Sequence, residues 1–199
     1  MKILLLNASP KNYGATQEIL KTIRAEIPHN ITSEILCLGD VTLNYCLGDK
    51  ACYKTCKCTQ DDDMVSIINK IDDSDALIIA APSYWADVPG QFKVFFDRCT
   101  AYGDTNSNPE HRRLRPSKKC CSVALRAGTR TEECEHIVET IRHWCGHMKI
   151  DMVDSMYFCE IHEKDDIQKH KEIIKSKAKA WLDEFSEICI QTAYEVDKR

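Results

Sequence analysis

Apolar positions along the chain fall into two alternating rhythms. Short unbroken runs from Ile3 to Leu6 and Ala76 to Ala81, and the mostly apolar Cys120 to Leu125, suit strands buried within a parallel sheet. Ile31 to Leu38, with β-branched residues and partial alternation, and Met148 to Phe158 add a second and a fifth strand. Between these runs the spacing turns helical. One face gathers Ile19, Leu20, Ile23 and Ile27, and another Met64, Val65, Ile67, Ile68 and Ile71. Three more follow: Phe92, Phe95, Phe96 and Cys99; Ile137, Ile141, Trp144 and Cys145; and Ile167, Ile173, Ile174, Ala178, Trp181, Leu182 and Phe185. The order of elements predicts a doubly wound α/β domain, a five-stranded parallel sheet with right-handed crossovers and a layer of helices on each face. That domain is expected over residues 1–187, with an insertion at 40–61 and a C-terminal tail at 188–199.

Where periodicity fails, chemistry becomes possible. The 40–61 segment is long for a structureless loop inside a domain, and such loops are usually functional. A second polar loop, 101–118, carries Arg112, Arg113 and Arg115 and reads as a solvated surface or a lid. The turns at Ser9, Pro82 and Arg126 follow three strands, and open α/β sheets bind ligands at the carboxyl ends of their strands. In the first turn the free N–H groups of a helix start, with Ser9, Lys11, Asn12 and Thr16, could surround a phosphate; an ordinary βα turn is the alternative. The stretch is neither GxGxxG nor GxxxxGK[ST], which weighs against dinucleotide binding and P-loop hydrolysis. In the second turn Tyr84 and Trp85 could stack on a flat ring or simply edge the core. Phosphate at one turn and a flat ring at the next is the geometry of flavin mononucleotide.

Composition narrows the field. The formal net charge is -4 and no basic block occurs, which argues against a nucleic-acid partner. No apolar run approaches the roughly 18 residues of a membrane span. Met1 leads straight into the first strand without a signal-peptide pattern, so a cytoplasmic protein is expected. Twelve cysteines are then expected to be reduced thiols, with Cys99, Cys120, Cys121, Cys134 and Cys189 acting as small buried hydrophobes. Cys46, Cys52, Cys56 and Cys58 crowd the insertion instead. Asp61, Asp62 and Asp63 read as caps of the helix that follows, with an Asp-rich metal site as the alternative. Thr129 or Thr131 is expected to cap the helix near 131.

Taken together, NASPKNYGAT, APSYWADVPGQFKVFFDR and the cysteines ahead of DDDM resemble the NADPH-dependent FMN reductase family, and within it an iron-sulfur flavoprotein-like branch with a flavodoxin-like, three-layer fold. Against SPRKNGNT, Ser9, Pro10, Lys11, Asn12 and Thr16 match, while Tyr13 and Ala15 depart. Against PVYxGSVTAQLKxFxDR, Pro82, Tyr84, Gln91, Lys93, Phe95, Asp97 and Arg98 match, while Trp85 to Pro89 are less typical. The resemblance implies that Ser9, Lys11, Asn12 and Thr16 hold the FMN phosphate. Pro82, Ser83, Tyr84, Trp85, Ala86, Asp87 and Val88 would line the isoalloxazine, with backbone N–H groups reaching its polar edge.

The branch's C-x2-C-x2-C-x5-C pattern places Cys46, Cys52 and Cys58 at three positions and Asp49 at the second. A [4Fe-4S] cluster with Asp49 or Cys56 as fourth ligand, a zinc or redox-thiol site, and an unligated loop all remain open. The family further implies a homodimer or homotetramer in which a neighbouring subunit closes the flavin site. The expected activity passes electrons from NADH or NADPH through FMN to a small acceptor such as a quinone, nitroaromatic or flavin. The flavin supplies that chemistry, so no side chain is assigned as catalytic acid or base, and Arg126 or Arg130 would favour an anionic substrate. Rival readings are an iron-sulfur flavoprotein carrying electrons to a redox protein, a flavin-binding electron-transfer module without turnover of its own, and a non-enzymatic α/β interaction domain.

Overall fold

The computed structural model describes the backbone of residues 1–196 and the side chains of residues 1–186. Five strands, β1 (Lys2–Asn7), β2 (Thr32–Cys37), β3 (Ala76–Pro82), β4 (Lys119–Leu125) and β5 (Asp151–Phe158), form one sheet. Its order is β2-β1-β3-β4-β5 and every pairing is parallel. Helices α1 (Ala15–Ala25), α2 (Ala51–Thr55), α3 (Met64–Asp73), α4 (Gly90–Arg98), α5 (Thr131–His147) and α6 (Lys171–Val196) complete the chain.

Alternation within the strands assigns the layers. Leu4 and Leu6 of β1 face a core shared with Ile67, Phe92, Phe95, Ile141 and Trp144, which places α3, α4 and α5 on one side. Ile3 and Leu5 face the other core, with Ile19, Leu20, Ile23, Ile174, Trp181 and Phe185 from α1 and α6. This is the flavodoxin-like three-layer sandwich. The chain winds outward from β1 to β2 and then returns past β1 to β3, so the carboxyl edge between β1 and β3 is the topological switch point.

Several boundaries move for local reasons. β5 starts at Asp151 rather than Met148, because Met148 caps α5 and Lys149 turns the chain at φ 57°. The last helix is prefaced by a 3-10 turn, Lys164–His170. It runs to Val196, through most of the expected tail; the side chains beyond Ser186, Cys189 included, and residues 197–199 lie outside the described residues. The residue before α5 is Arg130, and neither Thr129 nor Thr131 caps that helix.

The acidic run ahead of α3 does more than cap it. Asp62 accepts from the Met64 and Asn44 N–H groups, and Asp63 from the Thr42 N–H, so the carboxylates also close the insertion. In the 101–118 loop, Arg112 and Arg115 bind Asp72 at the end of α3. That contact lies at the amino edge of the sheet, and the lid reading fails for these arginines. Among the described residues no helix is long and apolar enough to cross a membrane.

Candidate functional site

At the switch point the turn after β1 is built before any ligand arrives. Buried Asn7 donates to Gln17 Oε1 (2.8 Å) and to the Lys11 carbonyl (3.2 Å), while its Oδ1 accepts the Ser9 N–H (2.9 Å). Ser9 Oγ accepts the Lys11 N–H (3.1 Å). Gly39 lies so close that a Cβ there would sit 2.3 Å from the Pro10 carbonyl oxygen, so the turn rests on bare backbone. Helix α1 begins after Gly14 with no side-chain cap. Its first N–H groups are therefore free to receive an anion, which the helix dipole also favours.

This turn forms one wall of a cleft of about 480 Å³. Ser9, Lys11 and Thr16 line it from the first turn, Pro82, Ser83 and Tyr84 from the end of β3, and Arg126 from the end of β4. Asn12 does not line it; its side chain donates to Asp40 Oδ1 (2.8 Å). The fourth wall, Ile161 to Lys164 after β5, was not anticipated. Its signal was the Glu163/Asp166 pair, which forms a capping box at the following 3-10 turn.

The second turn is a miniature hairpin. Tyr84 and Asp87 exchange backbone hydrogen bonds (2.8 and 3.2 Å) around Trp85 and Ala86, whose φ values are 54° and 63°. Two successive left-handed residues are what a type I′ turn requires, a conformation that ordinarily selects Gly or Asn. Trp85 is thereby fully exposed, at 101%. Within this hairpin the Ser83 N–H goes to Leu125, the Tyr84 N–H to Asp87 and the Val88 N–H to the Asp87 carboxylate. Val88 is buried in the core, and Asp87 and Val88 line no part of the cleft.

A second lobe, about 620 Å³, adjoins the cleft through Ser83, Arg126 and Ala127 and carries Trp85, Ala86 and Arg130. Glu133 organises it. One oxygen pairs with Arg126 Nη1 (2.9 Å) and the other accepts from Ser83 Oγ (3.2 Å). Arg126 Nη1 also donates to the Arg130 carbonyl, and its buried Nε has no partner. The guanidinium lies against Gly128, where a Cβ would sit 2.3 Å from Arg126 Nη2 and push that side chain aside.

The cysteine-rich insertion forms a separate cavity of about 210 Å³ against the last turn of α4. Cys46, Cys52, Cys58 and Asp49 line it, together with Asp97, Arg98, Thr100 and Ala101; Cys56 does not. Burial pushes the Cys52 thiol above its ordinary pKa, and the neighbouring Cys58, Cys46 and Asp49 add to the rise. The Arg98 guanidinium is a fixed wall of the cavity. It is 1% exposed, pairs bidentately with Asp62 (2.5 and 3.1 Å) and donates to the Asn44 carbonyl (2.8 Å), leaving buried Nε unpartnered. Burial alone would raise the Asp62 pKa, but the Arg98 hydrogen bonds and two backbone N–H groups hold it below the usual range. Among the described residues no three His, Cys, Asp or Glu side chains converge on a single metal ion.

Known proteins align with this chain in two ways. An iron-sulfur flavoprotein of Archaeoglobus fulgidus is 31% identical over 129 residues, 64% of this chain and 56% of that protein. One of Clostridioides difficile is 39% identical over 103 residues, 49% of this chain and 45% of that protein. The chain thus spans about half the length of these curated relatives. Among solved structures, an FMN-dependent NADH-azoreductase from Bacillus anthracis in complex with FMN superposes with a TM-score of 0.64. It covers 91% of this chain and 99% of its own at 14% identity, which is a likeness of fold. Residues 1–159 match the family described as NADPH-dependent FMN reductase, and the chain belongs to that family.

Proposed function

We propose that the carboxyl-edge cleft holds FMN and that the protein is an oxidoreductase passing electrons from NADH or NADPH to a small-molecule acceptor. The observation that carries this reading is the uncapped start of α1, which opens onto the same cleft as Pro82, Ser83 and Tyr84. The residues fit the cofactor. The α1 N–H groups, with Ser9 Oγ, Lys11 and Thr16, would hold the phosphate dianion. Of the N–H groups from Ser83 to Val88, those of Trp85 and Ala86 are not drawn into the hairpin, so they would receive the polar edge of the flavin ring. Tyr84 would pack beside that ring. When bound, FMN supplies the two-electron chemistry, and the protein orients the reactants and excludes water. Arg126, held by Glu133, would favour negative charge on the reduced cofactor or the acceptor.

Titration of the protein into FMN, followed by flavin fluorescence, and anaerobic NADH or NADPH oxidation with a quinone acceptor test the reading together. Saturable quenching and acceptor-dependent oxidation are expected; FMN that does not bind overturns it. Trp85, fully exposed at a strained corner, suits the expectation that a second subunit closes the site. Light scattering should then report a dimer or tetramer.

A second reading has its own observation: three cysteines line one cavity. Thiolates are the donors iron-sulfur clusters require; Cys46, Cys52 and Cys58 would supply three of them, although among the described residues they do not converge on a single ion and no fourth thiolate lines the cavity. Bound there, such a cluster would supply one-electron transfer toward a redox protein. Iron and acid-labile sulfide in protein purified without oxygen decide this, and their absence overturns it.

A further inference from the structure

Resting on the FMN reading above, we infer that Lys164, carried by the segment after β5, grips the cofactor's phosphate and makes the cleft select a phosphorylated flavin over its unphosphorylated parent. The residue belongs to no motif of the first turn; the fold brings it there. β5 is the outer strand of the sheet, so the chain must cross back to reach the start of α1. Glu160 turns it at φ 58°, its N–H bonding the Gly128 carbonyl (3.0 Å), and the Ile161 N–H bonds the Arg126 carbonyl (2.9 Å). Ile161 and Ile167 then bury in the core that Ile19, Leu20 and Ile23 of α1 also enter, which packs the 3-10 turn against that helix. Between these anchors the N–H groups of His162 and Glu163 close on Asp166 Oδ2 (3.0 and 3.2 Å). Lys164 therefore shares a cleft with Ser9, Lys11 and Thr16 on a backbone held from both sides.

The charges around the cleft are unbalanced in a way that a phosphate would correct. Lys11, Arg126 and Lys164 line it against one carboxylate, Glu163. Arg126 is already paired with Glu133 (2.9 Å). Glu163 accepts the Asp166 N–H in the capping box, which turns it toward its own 3-10 turn. Lys169 of that turn is engaged by Asp166 (3.2 Å). Among the described residues, Lys11 and Lys164 have no carboxylate within ion-pair distance. Two unneutralised ammonium groups lining one cleft match a phosphate monoester, which carries about -1.5 to -2 charge at pH 7. A solvated surface lysine is the ordinary alternative, and it would be indifferent to whether the flavin carries a phosphate.

The test compares two flavins that differ only in the phosphate. FMN and riboflavin are titrated into the full chain, unmodified and as Lys164→Gln, Lys164→Glu and Lys164→Arg, with flavin fluorescence as the readout and thermal unfolding recorded for each. Lys164 is exposed and its wall is held by backbone bonds, so all four proteins should unfold alike. An ammonium a few ångströms from a near-dianion in a water-like dielectric is worth about tenfold in affinity. Lys164→Gln should therefore bind FMN about tenfold more weakly, Lys164→Glu more weakly still, and Lys164→Arg as the unmodified chain does. Riboflavin affinity should stay the same throughout. Added salt should erode the FMN preference of the unmodified chain more than that of Lys164→Gln.

Unchanged FMN affinity in Lys164→Gln would overturn the inference and return the lysine to solvent. So would equal weakening of both flavins, which would mark a cleft pushed out of shape. A nicotinamide donor offers a phosphate monoester too, the 2′-phosphate that distinguishes NADPH from NADH. If Lys164→Gln leaves FMN binding intact but raises KM for NADPH and not for NADH, the lysine reads the donor and the inference is wrong. An unmodified chain that binds no FMN at all would sink the cofactor reading, and this inference with it.

Discussion

Replacing Arg98 with methionine tests how the cysteine-rich insertion is held to the domain. Both partners of the Arg98–Asp62 pair have side chains 1% exposed. Methionine preserves much of the volume and removes the charge, so Asp62 is left ionised and buried with only its two backbone donors. Removing one member of a buried pair typically costs about 3–5 kcal/mol. Loss of the Asn44 carbonyl's partner adds about 1 kcal/mol. Urea unfolding at pH 7 should therefore show a loss of about 4–6 kcal/mol. Asp62→Asn combined with Arg98→Met should recover a substantial part of it, because no charge is then stranded.

The sign of the pH response is also determined. In the native protein the Asp62 pKa is depressed, so its stabilisation is present above the unfolded value and disappears as pH falls through the folded one. In Arg98→Met burial dominates and raises the Asp62 pKa, so the penalty should shrink as pH is lowered from 7 toward 4. A loss under about 1 kcal/mol, the range of an exposed ion pair, would refute the reasoning.

Three further outcomes follow from the same structure. Gly39→Ala drives a Cβ against the Pro10 carbonyl and should displace the phosphate turn, lowering stability by about 1–3 kcal/mol on thermal unfolding and FMN affinity about tenfold by fluorescence titration. Lys118 is buried against the Asp72 and Ser74 carbonyls, and burial, aided by Arg115, lowers its pKa to about 8. Between pH 8 and its ordinary 10.5 the unfolded chain holds the proton more tightly, so stability should rise with pH over that window; Lys118→Met should flatten the rise in denaturant titrations. Trp85→Gly removes a fully exposed ring from a left-handed position. It should leave stability unchanged or higher by about 1 kcal/mol while weakening any subunit association seen by light scattering.

Much of the architecture was legible because burial writes itself into spacing. The run ALIIAA, covered on both faces, could only be a central strand, and the Ile19, Leu20, Ile23 face could only be a helix. What escaped was long-range polar pairing. Asn12 looks like a phosphate donor in its motif, but its partner Asp40 is 28 residues away, and no local pattern announces that bond. Asp62 looked like one cap among three because Arg98, its partner, lies 36 residues on. Val88 sat inside a motif expected to face the flavin, yet the positive φ values at Trp85 and Ala86 reverse the chain and send Val88 into the core. Twist at a hairpin corner has no hydrophobic signature.

The insertion after β2 is pinned to the sheet side at its two ends, while its middle is tied to the 101–118 loop, where Tyr53 donates to the Thr105 carbonyl and Asn106 and Asn108 donate to the Cys52 and Tyr53 carbonyls. Gly39 against Pro10 and Asp40 on Asn12 hold the entry; Asp63 bridged to Thr42 and Asp62 on Arg98 hold the exit. A loop closed at its mouth behaves as a cartridge. Its contents can be exchanged or lengthened at little thermodynamic expense, since doubling a loop costs only about 0.6 kcal/mol. Asp49 in place of a cysteine is a change of contents that the mouth does not feel. Grafting a different 45–60 segment between the same clasps should yield a folded domain provided that it still offers carbonyls to Asn106 and Asn108, so this edge of the molecule is where the chain can change its loop chemistry while the sheet stays as it is.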